Sequence, residues 1–261
     1  MSHHPNSRRI VAVALTSLAL TATSLACTTL MPAPVPDLVW DPAADALVVD
    51  YECGGGMAPA NVYANAIAPL RIWGDGRMLW VGADAAGGRR VLTAQLSPAE
   101  LRGVLQHMAD AGFFGFRDEY MPAEPVMDAG GCSLAVTLSD ADKRVIVDDF
   151  GEPPAAYSEL TAWLMQGAGA TGVDFVPERA YLTAFLIQDQ PGQAGAVWPA
   201  EGIGGVRLSQ AQGGLMVEGE AARAAWEIVN RDPNTIVECG GASYFISVQV
   251  EGVTTQWPST P

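Results

Sequence analysis

Residues 70–81 read LRIWGDGRMLWV, two apolar runs joined by Gly-Asp-Gly and carrying two tryptophans within eight positions. Asp-Gly is among the strongest short hairpin signals, because both residues tolerate the positive φ of a type I′ turn. Taking Asp75-Gly76 as a two-residue loop pairs Gly74 with Arg77, Trp73 with Met78, Ile72 with Leu79, Arg71 with Trp80 and Leu70 with Val81. Side chains alternate along a strand, so this register places Leu70, Ile72, Leu79 and Val81 on one face. It places Arg71, Trp73, Met78 and Trp80 on the other, with Arg71 opposite Trp80 as a cation–π pair. These four form the candidate contact face: covered by a second layer they are core, and open to solvent they mark a binding patch. Tryptophans in a sheet of this size usually bury, so a covered face is expected.

The aliphatic face needs a partner, and SPAELRGVLQHMADAG at 97–112 supplies one. Ser97 as N-cap, Pro98 at the first helical position, Glu100 closing a capping box and Gly112 as the stop delimit a helix. Leu101, Val104, Leu105 and Met108 recur at helical spacing and make one apolar stripe. Upstream, the β-branched and aromatic bias of DALVVDYE (45–52) predicts a strand. Downstream, residues 133–139 and 144–150 predict a second hairpin around DADK, and Pro153-Pro154 opens a helix to about Gln166. GAGATG (167–172) is the candidate boundary. Beyond it come a strand at 181–187, an apolar piece at 215–217, a helix at about 220–230 with Ala222, Ala225, Trp226 and Val229 as its stripe, and a strand at 243–250. The expected fold class is α+β, antiparallel sheets with helices packed on one face, in a domain over 45–166 and a smaller α+β region over 173–251 that can pack on the first.

The chain's start reads as an address. Arg8 and Arg9, an apolar stretch from Ile10 to Leu20 and small residues to Ala26 have the layout of a secretory signal peptide over 1–26. Cys27 after SLA resembles the lipidation site of a bacterial lipoprotein. Ser24-Leu25-Ala26 equally suits an ordinary signal peptidase, which would release the protein. Pro32, Pro34 and Pro36 lie in a stretch, 27–44, that reads as a semi-rigid tether. The expected location is therefore outside the cytoplasm, as a membrane-anchored lipoprotein or a secreted protein.

Charge limits the partners. With 14 Lys+Arg against 29 Asp+Glu, a formal net charge of −15 and a sequence pI near 4.4, the chain lacks the basic field that nucleic-acid binding requires. The acidity itself is a statement about solubility. The membrane, through the lipid anchor, and an unknown protein or small molecule remain as expected partners. No cofactor motif is present. Cysteines follow no C-x-x-C spacing and His107 is the only histidine after the leader, so no metal site is expected. Asp140, Asp142, Asp148 and Asp149 are spaced unlike a calcium-binding loop.

LRIWGDGRMLWV, LSPAELRGVLQHMADAGFF and DAGGCSLAVTL together resemble a family of exported, often lipid-anchored bacterial proteins. Their domain reads strand, G-D-G hairpin, S-x-x-E-L helix, aspartate loop and closing strands. The resemblance implies an extracytoplasmic α+β architecture and carries no catalytic residues. Cys132 stands where that pattern has a hydroxyl residue; with Cys53 it would form a disulfide, with Cys239 as the competing partner.

Three function classes follow. A non-catalytic binding or interaction module of the cell envelope fits the tether and the acidic body. A secreted enzyme would use Cys132 with His107, or paired carboxylates such as Asp118 and Glu119 or Asp148 and Asp149. The chain has no G-x-S-x-G elbow and no phosphate-cradling Gly-Lys-Ser/Thr. An envelope-maintenance structural protein is the third.

Overall fold

The computed structural model describes residues 35–83, 89–187 and 194–256. The signal peptide, Cys27 and the first part of the tether lie outside these residues.

The fold is α+β, built on two sheets. The larger has eight strands: β1 (Leu47–Gly55), β2 (Leu70–Trp73), β3 (Arg77–Ala83), β4 (Arg89–Gln95), β5 (Glu119–Tyr120), β6 (Gly130–Thr137), β7 (Asp142–Asp148) and β8 (Val173–Asp174), in the order β5-β7-β6-β1-β2-β3-β4-β8. The smaller has β9 (Arg179–Ile187), β10 (Ala196–Val197), β11 (Leu215–Glu218), β12 (Ile236–Cys239) and β13 (Ala242–Gln249), in the order β10-β12-β13-β9-β11. Neighbours are antiparallel except β5 with β7 and β10 with β12, so each sheet is mixed by one short edge strand. Among the described residues four α-helices accompany them: α1 (Ala60–Ala64), α2 (Pro98–Asp110), α3 (Ala155–Met165) and α4 (Gly219–Arg231).

The hairpin at 70–81 forms with a register one residue away from the expected one. Leu70 faces Trp80, Arg71 faces Leu79 and Ile72 faces Met78. The loop therefore holds three residues, Gly74-Asp75-Gly76. Gly76 takes φ +85° and donates its N–H to the Trp73 carbonyl at 2.9 Å, the arrangement in which a left-handed glycine makes a bulge. Asp75 does not sit in the two-residue turn; its Oδ1 accepts the Arg77 N–H at 3.0 Å and its carbonyl accepts from the Gln95 amide at 2.7 Å. A one-residue slip moves every side chain of one strand to the opposite face. Met78 and Trp80 consequently join Leu70 and Ile72, while Leu79 and Val81 join Arg71 and Trp73.

Each face has its own core. Leu70, Ile72, Met78 and Trp80 pack with Leu134, Val136 and Val145 under α2 and α3, through Leu101, Leu105 and Met108 of α2 and Tyr157, Leu160 and Leu164 of α3. Helix α2 begins as its sequence demands: Ser97 and Glu100 form the capping box, Pro98 is its first residue, and Gly112 turns the chain at φ +83°. Leu79 and Val91, on the opposite face, belong to a second core with the inner face of the small sheet and with Ala221, Ala222, Ala225, Trp226 and Val229 of α4. Buried Asn65 ties the segment after α1 to the small sheet. Its amide donates to the Ile246 carbonyl and its Oδ1 accepts the Val248 N–H, serving β13 where β12 has ended.

The second region and the end of the tether both pack on the large sheet's side of the fold. The described residues form one compact unit, and β8 from the expected second region pairs with β4 of the large sheet. GAGATG is a notch for Trp80: a Cβ on Gly172 would lie 2.2 Å from Cη2 of that indole. The end of the tether is also bound to the body. Leu38 and Trp40 pack on the first core, the Trp40 indole donates to the Gly74 carbonyl at 3.1 Å, and Arg102 donates to the Leu38 carbonyl while lying 5.3 Å from the Trp40 ring centre.

Two substitutions test this packing. Gly172→Ala should cost about 2 kcal/mol, the usual scale of overpacking a filled core, measured by denaturant unfolding against Gly213→Ala, where a Cβ meets open space at an ordinary φ. Tyr157 is buried, its hydroxyl has no hydrogen-bond partner among the described residues, and burial pushes its pKa up. Removing that hydroxyl as Tyr157→Phe should raise stability by about 1 kcal/mol, since an unpaired buried polar group is a net cost.

Candidate functional site

The four residues of the expected contact face do not share a surface. Met78 and Trp80 are enclosed in the first core at 0% and 3% exposure. Trp73 lies half-buried at the edge of the second core, with the Arg77 guanidinium 4.9 Å from its ring centre. Thus the aromatic partner of a hairpin arginine is Trp73 with Arg77, and the expected Arg71–Trp80 stack does not form because the two residues point to opposite faces.

Arg71 is buried in an ionic knot. Its Nε donates to Asp50 at 3.1 Å, Nη2 pairs with Glu52, and Nη1 donates to the Gly252 carbonyl at 2.9 Å. Asp50 sits directly across from Arg71 on β1, whereas Gly252 lies in the segment after β13, so one guanidinium fastens the large sheet to the chain leaving the small one. Burial and the neighbouring Glu52 carboxylate raise the Asp50 pKa, outweighing the opposing pull of Arg71 and Arg144.

Cys53 and Cys132 are directly paired residues of β1 and β6 and form a disulfide. Cys239 is a free thiol, half-buried, with Sγ 3.7 Å from the Pro199 carbonyl. The disulfide removes the Cys132 thiol as a nucleophile. His107 is exposed on α2 and stacks on Trp163 of α3 with ring centres 4.0 Å apart. The paired carboxylates are likewise apart in role: Asp118 is exposed and held by Lys143 at 2.5 Å, and Asp149 accepts the Gly130 N–H. Asp142 and Asp148 occupy opposite ends of β7. Among the described residues, no three His, Cys, Asp or Glu side chains gather as a metal site.

Among the described residues, two depressions are lined by four or more charged side chains. One, of about 530 Å³, lies over β5, β6 and β7, with Ala135, Thr137 and Ile146 as its floor and Asp118, Asp142, Lys143 and Arg144 around it. It is an open sheet face whose three acids, Asp118, Glu119 and Asp142, outnumber its two bases, Lys143 and Arg144. The other, of about 430 Å³, runs between α4 and the β4–β8 edge and concentrates positive charge in an acidic chain. Arg89, Arg90, Arg223 and Arg231 line it, over an apolar base of Val91, Phe175, Val176 and Trp226. Helical spacing explains the far wall, because Arg223, Glu227 and Arg231 succeed one another at i, i+4 and i+8. Register explains the near wall: Arg89 is two residues before Val91 and so points to the same face, toward α4.

Within this groove Arg89 donates Nε to the Asn230 side chain at 3.1 Å and Nη2 to the Val229 carbonyl at 3.2 Å, close to the negative end of α4. Burial lowers its pKa. Arg90 pairs with Asp174 at 2.6 Å and Arg231 with Glu227 at 3.0 Å. Trp226 donates its indole N–H to the Phe175 carbonyl, and their rings meet edge to face at 5.6 Å. The sequence marks Trp226 and Val229 as part of a buried helix stripe and does not group the others, since 89–90, 174–176 and 223–231 are remote segments that only the fold brings together.

Comparison of the chain with family models, with curated proteins and with solved structures finds no match.

The ionic knot predicts a contrast. Arg71→Ala leaves Asp50 and Glu52 without their partner and should cost about 3 kcal/mol. Asp50→Asn keeps an acceptor for Arg71 and should be neutral or stabilising at neutral pH. A raised carboxylate pKa means the folded state holds the proton more tightly, so wild-type stability falls as pH rises through the folded Asp50 pKa. The gain from Asp50→Asn should therefore shrink toward acid pH, which parallel urea titrations at neutral and acid pH will read.

Proposed function

We propose that this chain is an extracytoplasmic, envelope-associated binding module without catalytic activity, anchored by lipid at Cys27. The arginine-lined groove supports this reading most directly. Its surface offers guanidinium, amide and indole groups suited to recognition, while its two carboxylates are engaged by Arg90 and Arg231 rather than held ready as acid or base. The disulfide is consistent with an oxidising compartment. No helix among the described residues is long and apolar enough to cross a membrane. The bound end of the tether, from Leu38 onward, would hold the body close to that attachment point.

Fractionation of bacteria making the full chain tests the location. Palmitate label should enter the membrane-bound wild type, and Cys27→Ala should release an unlabelled, soluble, exported protein. A leader-intact chain retained in the cytoplasm would overturn the location. Alkylation of native protein should modify Cys239, with Cys53 and Cys132 reacting only after reduction. Turnover of ester, peptide or glycoside probes by purified wild type would overturn the non-catalytic reading.

A further inference from the structure

We infer that the groove between α4 and the β4–β8 edge binds a small organic oxyanion, a phosphate- or carboxylate-bearing molecule whose apolar body lies against Phe175 and Val176. The inference rests on the binding-module reading and assigns that module its ligand chemistry. Four guanidinium groups face one depression whose acidic residues are Asp174 and Glu227, each already paired with one of them. Arg89 and Arg223 have no carboxylate within ion-pair distance among the described residues. The partners Arg89 has among the described residues, an amide oxygen and a helix-end carbonyl, are neutral groups and leave other N–H donors of its fork free of a described partner. A half-buried cation without a counter-charge is unfavourable, and burial already works against its charged form. A bound oxyanion would relieve that cost, and a guanidinium matches the planar oxygens of phosphate and carboxylate with two parallel hydrogen bonds.

The rest of the lining selects the body of the ligand. Phe175 is partly exposed and braced edge-on by Trp226, and Val176 is 52% exposed, so an apolar group next to the anion would find a fixed surface. A small soluble ligand is favoured over an anionic bilayer because a membrane meets the whole surface, and the whole chain carries a formal net charge of −15. A molecule inside the groove feels chiefly the charges that touch it, since screening limits the others beyond about 8 Å at physiological salt.

Calorimetric titration of the folded protein at low salt with phenyl phosphate, benzoate and inorganic phosphate is the test. Phenyl phosphate should bind saturably and more tightly than inorganic phosphate, with an affinity that falls on adding salt. Arg223→Ala should weaken it roughly tenfold, the scale of one charge-assisted hydrogen bond, and Arg223→Lys should recover part of the loss. Arg223 is exposed and has no ionic partner among the described residues, so the fold should survive, which circular dichroism verifies. Arg179→Ala, at an exposed pair with Glu251 outside the groove, should leave binding unchanged. In side-chain NMR the Arg89 Nε–H signal should shift with saturation.

No saturable binding of any probe would overturn the inference, as would equal weakening by Arg179→Ala. Binding confined to phosphatidylglycerol vesicles would overturn it in favour of a membrane surface. Any of these failures would leave the non-catalytic, envelope-bound reading intact, because that reading falls on turnover or on cytoplasmic retention.

Discussion

The register of the β2–β3 hairpin decides which side chains enter which core. A two-residue loop would send Met78 and Trp80 to the face where Arg71 lies, and bring Leu79 and Val81 under α2. The observed three-residue loop does the reverse. The energetic balance favours it: burying a large apolar side chain is worth about 2 kcal/mol or more, whereas turn preferences differ by less. Trp80 has a place to go, since α3 ends in a glycine-rich notch that accepts its indole, and Met78 fills the space beneath α2 and α3. The local turn then adapts, and Gly76 is the residue that lets it adapt, by taking the positive φ that the extra loop residue requires.

With that register in place, the other face of the same strands becomes the seat of the small sheet. Leu79 and Val91 supply its apolar floor, and Arg71 supplies a polar bolt from β2 to the Gly252 carbonyl. This placement explains why an arginine sits in the middle of an apolar strand. Desolvating a guanidinium is costly, yet here two carboxylates and one carbonyl meet its fork, and their geometry can be met only when the two sheets are docked. Asn65 has the same character on the β13 side, where its amide completes a strand edge that would otherwise end unpaired.

Those elements with local signals were legible in the sequence. Helix α2 carries its own cap, first-turn proline, stripe and stop, and α4 carries an alanine-rich stripe, so both are found within a residue or two of their expected bounds. Elements defined by remote partners were not. Strands β5, β8 and β10 have two residues each and exist only because a neighbouring strand is there. Asp-Gly announces a tight hairpin without distinguishing a two-residue from a three-residue loop, and GAGATG reads as a linker because nothing nearby reveals that Trp80 needs the room. The disulfide partners follow from resemblance alone, and the cross-strand pairing of β1 with β6 is what brings Cys53 and Cys132 together. For the groove, the sequence shows arginines at 89, 90, 223 and 231 and gives no reason to group them.

That grouping bears on how net charge should be read. An acidic total argues against extended polyanions, because many phosphates must be neutralised together over a basic surface. It does not exclude a single small anion. At about 4 Å one guanidinium attracts a unit charge by roughly 4 kcal/mol at an effective dielectric near 20, while exposed carboxylates further than a Debye length away are largely screened. Among the described residues, Asp174 and Glu227 are the carboxylates lining the groove, and both are already drawn to arginines of the same groove. The local field is thus positive inside a negative molecule. Such an inversion would also filter ligands by size, since a compact anion can enter the region where the guanidinium groups dominate, and a long one must leave part of itself against the acidic exterior.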